Sequence, residues 1–212
     1  MGMQKWTDDY RRGDHAVHIY RDGADLSRVI LDVLGWLEGE EKFVYVTDRM
    51  LPNGENGFSS VATRVIKEAI KEGRMEIVPS YSFYCPKGKF AGRATMDRWK
   101  EKYDRVLDQG YNSVIIAGDI SWLSVRPSSF GSFMDYEQSI DLAHLPKTLS
   151  VLCQYDSRLF TPDQQEWASR VHQLRVRDGR LERNYWMITH RAASVESSPR
   201  QDSNLSTARR RQ

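Results

Sequence analysis

Apolar positions along the chain repeat with two alternating periods, one near 2 and one near 3.6. Residues 15–20, HAVHIY, make a short strand. Leu26, Val29, Ile30, Val33, Leu34 and Leu37 follow at spacings of 3, 1, 3, 1 and 3, which lays an unbroken apolar stripe along one face of a helix. Gly39 stops that helix, and residues 42–47, KFVYVT, are a second strand. Val61, Val65, Ile66, Ala69 and Ile70 mark the next helix, ended by Gly73; MEIV at 75–78 is a third strand, closed by Pro79. Residues 80–92, SYSFYCPKGKFAG, read as a loop. Met96, Trp99, Tyr103, Val106 and Leu107 place a third helix, and SVIIA at 113–117 is apolar enough to be a parallel strand covered on both faces. A helix over 130–142 and a strand over 149–153 come next. Thr161 then caps a helix with Pro162 at its first position, running to about Leu174. Asp178-Gly179 turns the chain into a last strand at 181–188.

Five strand-helix alternations predict an α/β fold, a mainly parallel sheet sandwiched by helices. The folded domain spans residues 14–190, after a polar segment at 1–13. Composition agrees, with 40% hydrophobic and 28% charged residues, as in an ordinary globular domain. Charge is unevenly placed. Residues 191–212 hold five Arg against Glu196 and Asp202 and almost nothing apolar, so they are expected to be a disordered basic tail. The rest carries 26 basic against 27 acidic side chains, which gives no reason to expect direct nucleic-acid binding. Cys85 and Cys153 supply neither a disulfide framework nor metal-ligand spacing. No apolar run nears the roughly 20 residues of a membrane span, and a cytoplasmic protein with reduced thiols is expected.

Ligands of such folds bind beyond the carboxyl ends of the strands, with phosphates on the helix after the first strand. Here that turn is Arg21-Asp22-Gly23-Ala24-Asp25, which lacks the glycines and Lys-Ser/Thr of a phosphate loop and carries two acids. ATP hydrolysis is not expected. Three further residues stand out. Asp119, at the end of the fourth strand, is either a capping acid or a ligand group; Trp122 is either a pocket wall or a core side chain. Glu137 shares a helical face with Phe133 and Ile140, so it is either a paired acid bordering a cleft or a solvated helix edge.

The run LCQYD at 152–156 places a thiol, an amide, a phenol and a carboxylate at the end of the fifth strand. Four readings of Cys153 stay open. It is a small core residue, a pocket residue with Tyr155, Asp156, Glu137 and Trp122, a redox switch with Cys85, or an acyl-transfer nucleophile with His172 as base. Groups beyond the strand end contribute little packing, so Tyr155→Phe and Asp156→Asn are each expected to cost at most about 1 kcal/mol. His172, at the edge of its helix stripe, reads as a surface or hydrogen-bonded histidine rather than a metal ligand.

In their order and spacing, HAVHIYRDGADL, WLEGEEKFVYVTD, GDISWL, YEQSID, LCQYDSRLF and a closing segment with His172, Gly179, Leu181, Asn184 and Tyr185 resemble the MEDS family. These are the sensory domains of methanogens, methylotrophs and the dichloromethane-responsive regulator. The resemblance implies a RecA- or KaiC-like domain whose phosphate loop has decayed. It implies a non-catalytic sensor of small hydrocarbon derivatives, without cofactor or metal, that signals to a regulatory protein such as a kinase or transcription factor. The positions matching the family's polar motif are His18, Tyr20, Asp48, Trp122, Glu137, Cys153, Tyr155, Asp156 and His172. No DNA-binding or kinase module is read in the chain, so output is expected through a partner. Two alternatives remain, an ATP-binding regulator without hydrolysis and a thiol-based redox sensor.

Overall fold

The computed structural model describes residues 5–49, 57–142 and 146–184. The expected tail at 191–212 and the end of the last predicted strand lie outside them. Seven strands form one sheet: β1 (His15–Tyr20), β2 (Glu41–Val46), β3 (Met75–Val78), β4 (Ser113–Asp119), β5 (Leu149–Asp156), β6 (Leu174–Arg177) and β7 (Arg180–Arg183). Their spatial order is β3-β2-β4-β5-β1-β6-β7. All neighbours pair in parallel except β6 and β7, which form an antiparallel hairpin. A mostly parallel sheet covered by helices is the predicted fold class.

The helices are α1 (Gly23–Trp36), α2 (Ser60–Lys71), α3 (Ser80–Tyr84), α4 (Gly92–Asp108), α5 (Phe130–Leu142) and α6 (Pro162–Arg170). Alternation along each strand divides the core in two. Ala16, Tyr20, Phe43, Tyr45, Ile115, Ala117 and Leu152 pack under α1 and α2, with Trp6 and Tyr10 closing one end. Val17, Val44, Ile116, Val151, Cys153 and Tyr155 face α3, α4, α5 and Ala168 of α6. The register Val17↔Cys153 and Gly118↔Cys153 puts the thiol at the centre of the sheet.

Four boundaries differ from the sequence reading. Part of the predicted 80–92 loop is the short helix α3, whose N-terminus is tied to Asp48 through the Ser80 and Tyr81 amides. Strand β5 does not stop at Cys153; it pairs with β1 as far as Tyr20↔Asp156, and all eight of its residues are buried. Helix α6 ends at Arg170 rather than near Leu174, because Leu174 pairs with Ala16 as the start of β6. The alternation Leu174-in, Arg175-out, Val176-in was a period-2 signal hidden by the helix stripe before it. Asp178 (φ 48°) and Gly179 (φ 74°) form the β6–β7 turn as predicted.

The turn after β1 is closed by the chain itself. Asp22 caps α1 by accepting from the amides of Ala24 and Asp25, both at 2.9 Å. Ser27 Oγ accepts from the Ser59 amide at 2.9 Å, drawing the segment before α2 over the start of α1. There the backbone of Gly57 sits on Gly23 so closely that a Cβ at Gly23 would collide with the Gly57 carbonyl. Gly23→Ala is therefore expected to cost about 1–3 kcal/mol, as overpacking does, measured by urea unfolding. An unchanged midpoint would show that this approach is loose.

Candidate functional site

Glu137 projects from α5 onto the centre of the sheet, where it is fully buried. Three groups converge on its Oε2. His15 Nε2, from the start of β1, is 3.3 Å away; His172 Nε2, just after α6, is 3.4 Å away. Cys153 Sγ donates to the same oxygen at 3.2 Å, and His15 Nε2 lies 3.4 Å from the sulfur. All four residues are at most 4% exposed, and one ligand atom from each falls within 4.8 Å of the others. Burial pushes the Glu137 carboxyl up, but the two imidazoles more than reverse this and hold it at about 2. Burial and then the Glu137 charge push the Cys153 thiol up to about 12. His172 Nδ1 is 2.7 Å from the Ala168 carbonyl, which only accepts, so Nδ1 carries the proton. Its Nε2 is then left facing the carboxylate without hydrogen-bond geometry.

Aromatic rings surround this quartet. Trp122 stacks on Tyr84 at 5.0 Å between centroids and meets Phe133 edge-on at 5.4 Å, one helical turn from Glu137. Tyr84 Oη lies over Gly118, beside Cys153, where a Cβ would displace it. Glu137 Oε1, Tyr155 Oη and Trp122 Nε1 are buried without a hydrogen-bond partner among the described residues. Next to the quartet an apolar groove of about 260 Å³ opens between α4 and β5. It is lined by Met96, Trp99, Tyr103, Ile140, Leu149 and Val151 among others. Ile140 is three residues from Glu137 on α5, and Val151 is two from Cys153 on the same strand face.

The opposite face carries a second polar cluster at the carboxyl ends of the strands. Arg49 donates to Asp119 at 2.7 Å, to Ser121 at 3.1 Å and to Asp156 at 3.1 Å, and also to Tyr20 Oη. Thr47 donates to Asp119, and Arg158 grips Asp156 with two nitrogens. His18 pairs with Asp25 at 3.6 Å and touches the Gln154 amide at 3.4 Å. These two side chains border an open groove of about 350 Å³ with Arg21, Arg175 and Asp178.

The nine residues expected in one ligand site are thus divided. Glu137, Cys153 and His172 meet directly, and Tyr155 and Trp122 belong to the same buried cluster. Tyr20 and Asp156 join the Arg49 network on the other face, His18 sits with Asp25, and Asp48 is the N-terminal anchor of α3. Strand alternation is the reason: Tyr155 and Asp156 are consecutive, so they point to opposite faces. His172 is not a surface residue, and Glu137 is not a helix edge in solvent; both are completely buried. Tyr155 and Asp156 are core residues, not groups beyond a strand end. His15 and Arg49 were missed. His15 shares the alternation phase of Val17, which would have placed it on the Cys153 face; Arg49 gave no sequence signal.

With the geometry in place, the relatives can be stated. The family model described as "MEthanogen/methylotroph, DcmR Sensory domain" matches residues 14–173. The chain belongs to the MEDS family. No curated protein matches it in sequence. Solved structures similar to it include a KaiC-like protein, PH0186, from the hyperthermophilic archaeon Pyrococcus horikoshii OT3. That match has a TM-score of 0.45 and 14% identity, over 81% of this chain and 77% of that one. Another is the flagellar accessory protein FlaH from Methanocaldococcus jannaschii, with a TM-score of 0.43 and 12% identity over 81% and 76%. Such likenesses add nothing about the chemistry of this MEDS domain. Among its described residues no helix is long and apolar enough to cross a membrane. Both its cysteines are buried with thiols pushed upward, principally by burial, which is the opposite of what a redox switch or a thiolate nucleophile needs.

Two consequences follow for stability. Tyr155 Oη has no hydrogen-bond partner among the described residues, so Tyr155→Phe is expected to leave stability unchanged or slightly raised. Asp156→Asn breaks a buried ion pair and should cost about 2–3 kcal/mol at pH 7, more than the sequence reading allowed. Burial raises the Asp156 carboxyl, but Arg158 and then Arg49 outweigh it and set the folded value below the usual one. Its stabilisation is therefore present above the unfolded value of about 3.9 and lost as pH falls through the folded one. Urea midpoints of wild type and Asp156→Asn should converge on acidification from pH 7 to pH 3. A gap as wide at pH 3 as at pH 7 would show that the carboxylate charge is not what stabilises.

Proposed function

We propose that this MEDS domain is a non-catalytic sensor that binds a small hydrocarbon derivative at the apolar groove beside Glu137 and passes the event to a regulatory protein. What carries the reading is the pairing of an apolar groove with a buried set of polar atoms that have no hydrogen-bond partner among the described residues. Native interiors satisfy nearly all such atoms. A small apolar molecule with one polar end matches both halves, its carbon skeleton against Ile140 and Val151 and its polar end toward the Glu137 side of α5. Helix α5 contributes to both, so an occupant that shifts α5 changes the surface a partner meets. A kinase or transcription factor fits that output. The nucleotide alternative has less support, since Asp22 occupies the amides a phosphate would use and Gly57 covers the helix start.

Thermal melting against methanol, methylamine, dichloromethane and ATP tests this. At least one of the one-carbon compounds is expected to raise the melting temperature of the wild type, and the shift should disappear in Val151→Phe, which fills the groove. ATP should produce none. Failure of all three compounds, or a shift by micromolar ATP that is lost on changing residues 21–25, would overturn the proposal.

A further inference from the structure

We infer that His15, Glu137, Cys153 and His172 form a four-ligand site for one divalent transition metal ion, with zinc the ion that best suits the donors. The first ground is geometric. Zinc bonds of about 2.0–2.3 Å at tetrahedral angles place ligand atoms about 3.3–3.6 Å apart. The four contacts His15–Glu137, His172–Glu137, Cys153–Glu137 and His15–Cys153 measure 3.3, 3.4, 3.2 and 3.4 Å. One ligand atom from each of the four residues lies within 4.8 Å of the others, close enough to share one ion. The second ground is the Nε2 of His172, completely buried, without a hydrogen-bond partner among the described residues and aimed at a carboxylate oxygen. Two acceptor lone pairs face each other there unless the ring takes a second proton or a cation lies between them. A bound cation removes the conflict.

The surroundings fit a built site. The His172 ring is oriented by its Nδ1–H bond to the Ala168 carbonyl, the usual outer support of a metal-bound imidazole. Charge also balances. The Cys153 thiol releases its proton as the sulfur–metal bond forms, so one thiolate and the Glu137 carboxylate neutralise a divalent ion. A neutral centre is the one kind of ionic group that a fully dry interior accepts without large cost. The ligands come from β1, α5, β5 and the segment after α6, so the metal would tie both helices to the sheet. Glu137 Oε1 and Tyr155 Oη, buried without a hydrogen-bond partner among the described residues, stay outside this set of four ligand atoms.

This inference deepens the sensory reading by naming the site's inorganic occupant and rests on it for the metal's purpose, while metal binding itself is measured separately. The full chain is purified without chelator and its metal content determined; the metal-free protein is then loaded with cobalt(II) and followed by visible and near-ultraviolet absorption. About one zinc per chain and a tetrahedral cobalt spectrum with a sulfur-to-metal charge-transfer band are expected. The charge-transfer band should vanish in Cys153→Ala, and zinc should raise the melting temperature of the metal-free wild type but not of His172→Gln. Metal content below about a tenth per chain, with no cobalt spectrum and no zinc-dependent shift, would sink the idea. Metal retained equally in Cys153→Ala and His172→Gln would also sink it, as binding elsewhere. If either variant does not fold, the wild-type stoichiometry and its charge-transfer band decide alone. One bound metal with no response to the one-carbon compounds refutes the ligand reading and leaves the site standing; response without metal refutes only the site.

Discussion

A carboxylate with no exposure to water, Glu137, sets the terms for the half of the molecule under α5. A charge in that position is tolerable only where other groups supply what water would. Here they are drawn from three distant parts of the chain: a histidine at the first residue of β1, a cysteine in the middle of β5 and a histidine just past α6. Meeting that demand fixes how α5 lies on the sheet and why α6 must end where it does. Val171 closes the helix and His172 turns inward, with its ring held by the carbonyl of Ala168 one turn back.

The other face solves a similar problem by different means. Asp119 and Asp156 leave the ends of β4 and β5 as buried acids, and Arg49 spans them, with Tyr20, Thr47 and Ser121 completing its contacts. Arg49 keeps part of its surface in solvent, so this network is anchored at the rim rather than sealed. Burial works against the guanidinium's charge, yet the acid Asp119 beside it raises its affinity for the proton, and Arg49 stays charged under all ordinary conditions. It joins the ends of β1, β2, β4 and β5 where a related fold would hold a ligand, and fills that place with the protein's own side chains.

These two clusters bear on how a signal can leave the domain. The turn before α1 is capped by Asp22 and packed against Gly57, so the usual entry at the carboxyl edge is occupied by chain. The groove lined by Ile140 and Val151 lies instead on the α4–α5 face. Helix α5 borders that groove through Ile140 and holds Glu137 on its inner side. The chain belongs to a sensory family, and its first turn carries neither the glycines nor the Lys-Ser/Thr pair of a phosphate loop.

Much of the fold was legible along the chain because burial imposes a period. The stripe from Leu26 to Leu37, the apolar run at 113–117 and the Thr161-Pro162 cap gave α1, β4 and the start of α6 close to where they stand. The short helix α3 and the strand β6 were hidden, since four or five residues are too few for a period to emerge beside a longer stripe. Residue types at the candidate site were legible too, and the oddness of Glu137 among apolar neighbours was a true signal. What sequence did not determine was which of these residues meet. His15 and Cys153 are 138 positions apart and become neighbours only because β5 inserts beside β1. Tyr155 and Asp156 are adjacent in sequence and end on opposite faces because a strand alternates. Local pattern records how each segment hides its apolar side, whereas strand order and register are global choices, and they alone brought four reactive side chains to one buried point.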